Sequence, residues 1–139
     1  MADTLDDLKR NLQSLANSIS SKLNERQGYL DKADEIQKVY DRLARDKKTI
    51  KEYRNDIVYF YKESYNEFKG DNYKYTYKPS IQDLRDSYDD VISNIDINLD
   101  ALNNQILSYK NKASGCLESL GYMQIAYNSV KTQIQNWTN

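Results

Sequence analysis

The sequence predicts an all-α chain, an elongated antiparallel hairpin of two long helices that associates into a helical bundle with a partner. Apolar residues recur at alternating three- and four-residue steps through both halves, which holds them on one stripe of a helix. One turn-forming segment separates the halves. Hydrophobic content is 39%, charged content 29% and mean hydropathy −0.91, enough apolar surface for a stripe but not for a globular core. The expected layout is a single hairpin domain over residues 1–139, with a helix over about 4–68, a turn at 69–79 and a helix over about 80–137.

The first arm reads Leu5, Leu8, Leu12, Leu15, Ile19 and Leu23, then Leu30, Ala33, Ile36, Tyr40 and Leu43, then Ile50, Tyr53, Ile57, Tyr61, Tyr65 and Phe68. Its phase skips once around Ile19 to Leu23, and Arg26 and Lys47 fill seam slots. Gly28 costs about 1 kcal/mol of helix propensity, which one long helix tolerates, so continuity is expected. The segment from Lys69 to Pro79 holds the only proline and a Gly-Asp-Asn cluster, which stops the helix. Ser80 followed by Asp83 reads as a capping-box-like restart.

The second arm is more regular, running Ile81, Leu84, Tyr88, Val91, Ile95, Leu99, Leu102, Ile106, Tyr109, Ala113, Cys116, Leu120, Met123, Tyr127, Val130, Ile134 and Trp137. A single one-residue skip falls at Ile95 to Leu99, of a size that local unwinding absorbs. Folding the arms about the turn places Ile57 opposite Val91, Leu43 near Ile106 and Leu12 near Trp137.

Composition excludes several function classes. With 20 basic and 21 acidic residues the net charge is −1, so no electrostatic case for nucleic acid or an anionic membrane arises. No apolar run approaches the ~20 residues of a membrane span, and the first residues lack a signal peptide's basic and apolar regions. The chain has no His and one Cys, which removes the commonest general base, the commonest zinc ligand and any resolving thiol. Cys116 therefore reads as a packing thiol, and no catalytic, cofactor-binding or metal-binding residue is expected. The chain reads as no enzyme and as needing no cofactor.

Two features exceed what a plain hairpin needs. Six of the thirteen tyrosines gather near the turn, and Tyr73, Tyr75 and Tyr77 alternate with lysines and threonine there. They read as rings covering the hairpin end, as a partner-binding tip or, least favoured, as aromatics and cations for base stacking and phosphate contacts. Ile92, Leu107 and Leu117 each follow a seam residue by one position, and Ile125 also lies off the main line. A wider stripe points to additional helices, so these four are candidate partner contacts.

The turn Phe68-Lys69-Gly70 resembles the aromatic-x-Gly corner of the Trp-x-Gly superfamily, small helical hairpins handled by type VII secretion in Gram-positive bacteria. Phe stands where that superfamily has Trp. Residues 68–120 are similar to the YwqH-like proteins that accompany LXG toxins, and residues 26–35 resemble part of EsxC-type small secreted proteins. The resemblance makes Phe68 and Gly70 the turn motif and implies an accessory role. Such proteins pair with the helical N-terminal region of an LXG-type toxin or with another small hairpin, a second copy included. It further implies a cytoplasmic protein without a signal peptide, co-secreted through the type VII system. The superfamily's Tyr-x-x-x-Asp/Glu export signal is absent after the second helix, since Tyr122 and Tyr127 are followed four positions on by Ala126 and Lys131. An adaptor relying on its partner's signal fits that departure. The competing reading is a self-assembling structural coiled coil, of phage or cytoskeletal type, with no secretion role.

Overall fold

The computed structural model of the chain describes residues 4–67 and 78–138. They form two helices, α1 (Leu5–Glu67) and α2 (Lys78–Thr138), which pack against each other as an all-α hairpin. The turn candidates Phe68, Gly70, Tyr73, Tyr75 and Tyr77 lie outside the described residues.

α1 starts on a reciprocal cap. The Asp7 amide donates to Thr4 Oγ1 at 3.1 Å, and the Thr4 amide donates to Asp7 Oδ2 at 3.3 Å, so two otherwise orphaned donors are satisfied together. The helix then runs unbroken through Gly28, and no described residue has positive φ. α2 begins at Lys78, two residues before the expected restart, which corrects Ser80 from an N-cap to a first-turn residue. Pro79 causes no break because a first-turn amide has no intrahelical acceptor to lose.

The described residues fall into two compact units, each an antiparallel pair of helical segments. The first joins residues 4–35 to 105–138, and the second joins 36–67 to 78–104. In the first, the Tyr29 and Tyr109 rings meet at 6.2 Å between centroids. In the second, Lys47 pairs with Asp96, and Arg54 Nε donates to Asp89 Oδ1 at 2.6 Å. These contacts displace the expected register by about five to ten residues, or about 8–15 Å at 1.5 Å per residue. Ile57 shares a crevice with Ile81 and Arg85, not with Val91. A seven-residue pattern matches itself at every slide of seven, so apolar spacing alone leaves register degenerate and the specific pairs choose it.

Burial also revises the seams. In α1 the inward residues are Leu5, Leu8, Leu12, Leu15, Ile19, Lys22, Arg26, Tyr29, Ala33, Ile36, Tyr40, Leu43, Lys47, Ile50, Arg54 and Ile57. In α2 they are Ile81, Arg85, Tyr88, Ile92, Ile95, Leu99, Leu102, Ile106, Tyr109, Ala113, Cys116, Leu120, Met123, Tyr127, Val130, Ile134 and Trp137. All but the last are buried or half-buried. Both series keep the three-four alternation without a break, so neither expected skip exists. The skips came from assigning slots to Leu23, Tyr53, Leu84 and Val91, which are exposed, instead of Lys22, Arg54, Arg85 and Ile92. Long cationic side chains take seam slots by burying their aliphatic stems while their heads reach water.

Candidate functional site: the apolar edges of the helix pairs

Naming the seam slots a and d, each helix has two flanking lines: e, which follows d, and g, which precedes a. In an antiparallel pair the two e lines open on one side of the groove and the two g lines on the other.

In the first unit the g side is polar. Glu25 accepts from Lys22 Nζ at 2.9 Å and from the Tyr29 hydroxyl at 3.3 Å. The Lys22 bond holds the Glu25 carboxyl below its usual range, and the same bond raises Lys22. Negative charge on Glu25 raises Tyr29. Lys112 Nζ lies over both rings, 5.1 Å from Tyr109 and 5.8 Å from Tyr29. The e side carries Ala16, Leu23 and Leu30 from α1 and Leu117 from α2, with Leu23 and Leu117 about half exposed at 50% and 51%.

The second unit reverses this polarity. Its e side is ionic, built on Lys47 with Asp96 and Arg54 with Asp89. Its g side holds Val39, Tyr53 and Phe60 on α1 and Leu84 and Val91 on α2, all 44–54% exposed. Tyr53 and Phe60 are one heptad apart, and so are Leu84 and Val91. This edge offers the repeat that a further amphipathic helix would match.

Of the sequence candidates, Leu117 lies on the e edge of the first unit as a widened stripe requires. Leu107 is exposed one line further out, beside that edge. Ile125, 68% exposed, falls on the far side of α2 from the seam. Ile92 is half-buried in the seam itself, a correction that follows from the revised phase. Sequence reading missed Leu23, Tyr53, Leu84 and Val91 as surface residues because their spacing imitates a seam. It missed Phe60 because that residue fits no seam slot. For Leu23, Tyr53 and Leu84 the signal is the neighbouring Lys or Arg that keeps the strict alternation, and for Val91 it is the neighbouring Ile92.

Cys116 is a buried free thiol, and no group of carboxylates and thiols among the described residues is arranged to hold a metal. No described helix is long and apolar enough to cross a membrane. No family model, curated protein or solved structure matches the chain.

Proposed function

We propose that this chain is a non-enzymatic helical partner protein. On this reading it is an adaptor or chaperone for a type VII secretion substrate such as an LXG toxin, and it receives the toxin's helical N-terminal region along its apolar edges. The observation that carries the partner role is one-sided exposure. In each unit one groove side is closed by ions or polar rings while the other leaves large apolar side chains in water, at heptad spacing in the second unit. A two-helix hairpin needs only its a and d positions for its own fold. Burial of the remaining apolar surface contributes about 25 cal/mol per Å², whereas exposed ion pairs contribute about 0–1 kcal/mol each, so association runs through the edges. The toxin-associated assignment rests on the resemblance of the Phe68-Lys69-Gly70 corner and its flanks. The protein acts in the cytoplasm and leaves with its cargo.

Co-expression with the products of neighbouring genes tests this reading. A helical toxin region should co-purify with the chain, and Leu107→Glu with Leu117→Glu should abolish capture and keep the toxin in the cytoplasm while helicity is retained. Intact secretion and pull-down in that variant, with the chain forming large homo-assemblies, would shift the assignment to a self-assembling structural coiled coil.

A further inference from the structure

The e side of the first unit shows what kind of helix it accepts. Between residues 13 and 30 of α1 and residues 107 and 128 of α2, the e line and the line just outside it carry no carboxylate. They carry Ala16, Leu23, Leu30, Leu107 and Leu117 among Gln, Ser, Asn and Gly, and their one charge is Lys110. Lys110 forms no ion pair with the described residues. Beneath them in the seam, Arg26 buries its Nε without any hydrogen-bond acceptor. Every other seam cation has a carboxylate: Glu25 for Lys22, Asp96 for Lys47, Asp89 for Arg54 and Asp86 for Arg85. A buried donor left unpaired is costly, and an apolar groove whose only charges are unpaired cations complements carboxylates.

We propose that this edge docks an amphipathic helix from a different chain, with Leu-type residues at heptad spacing and Asp or Glu on its flanks. Its carboxylates accept from Arg26 and Lys110 while its apolar face covers Leu23 and Leu117. This rests on the partner-protein reading above and names the partner's chemistry. A second copy is a poor occupant because a dyad sets this patch against itself, and the patch offers cations but no carboxylate to receive Arg26 and Lys110.

The test uses the full chain and two designed peptides, both with Leu at a and d, one with Glu at e and g and the other with Lys there. Fluorescence anisotropy should show the Glu peptide binding at least about tenfold tighter, a difference of about 1.4 kcal/mol. The preference should shrink with added salt and reverse in Lys110→Glu combined with Arg26→Gln. Leu23→Ser with Leu117→Ser, both on exposed positions, should lose the Glu peptide while the circular dichroism spectrum is unchanged. Equal affinity for the two peptides would overturn the proposal, as would binding that ignores the Leu pair. A dimer seen by sedimentation that the Leu pair dissolves would overturn it in favour of a second copy. If the Glu peptide binds but no neighbouring gene product co-purifies, the docking site stands and the toxin-adaptor reading fails. If a neighbour co-purifies equally with the Leu-pair variant, the adaptor reading stands and this site fails.

Discussion

Replacing Arg26 with Met should make the isolated chain more stable. Arg26 occupies an a slot, is half-buried, and leaves its Nε out of solvent with no acceptor. An unsatisfied buried donor costs about 1–3 kcal/mol. Because the side chain is only half-buried, part of that cost is already relieved at the exposed end, which places the expected gain at about 1–2 kcal/mol. Met keeps a flexible stem of similar reach, so little of the packing made by the aliphatic part of the side chain is lost. For a chain this size the gain corresponds to roughly 2–8 °C in the melting midpoint. Urea and thermal unfolding followed by far-ultraviolet circular dichroism measure it. Arg54→Met is the control, since Arg54 holds Asp89 through bonds of 2.6 and 3.5 Å and both side chains are about a third to a half exposed. That pair contributes about 0–1 kcal/mol, so its loss should be neutral to slightly destabilising. The reasoning fails if Arg26→Met lowers the urea midpoint at unchanged slope, or if the two variants behave alike.

Gly28→Ala should stabilise by about 0.5–1 kcal/mol, because Gly28 is mid-helix, needs no positive φ and has open space where the methyl would sit; an unchanged urea midpoint would contradict this. Ala33→Leu should destabilise by about 1–3 kcal/mol by overpacking a residue only 2% exposed, measurable in the same unfolding experiment. The Asp7 carboxyl is held below its ordinary value, first by the Thr4 hydroxyl, so its contribution is present above its unfolded pKa of about 3.9 and is lost as pH falls through the lower folded value. Thr4→Ala should therefore shrink the acid-side drop in stability, and amide hydrogen exchange at the start of α1 should rise at neutral pH.

What the sequence by itself determined is the class and layout of the fold. Apolar steps averaging about 3.5 residues define helices and nothing else, and a lone proline beside a Gly-Asp-Asn cluster marks where two of them part. The buried Cys116 was legible too, because a small apolar residue fits between Ala113 and Leu120. What only the tertiary structure decided is phase, register and which groove side is closed. Phase was hidden because Leu23, Tyr53 and Leu84 sit one residue from slots held by Lys22, Arg54 and Arg85, where hydropathy alone favours the wrong residue, and because Val91 and Ile92 are adjacent residues that hydropathy scarcely separates. Register was hidden because a heptad pattern repeats on sliding, and Tyr29 on Tyr109 and Arg54 on Asp89 are the contacts that select one alignment. The exposed edges follow from both. An apolar residue at an e or g position is surface or core according to what lies across the groove, and that neighbour is known only once the two helices are paired.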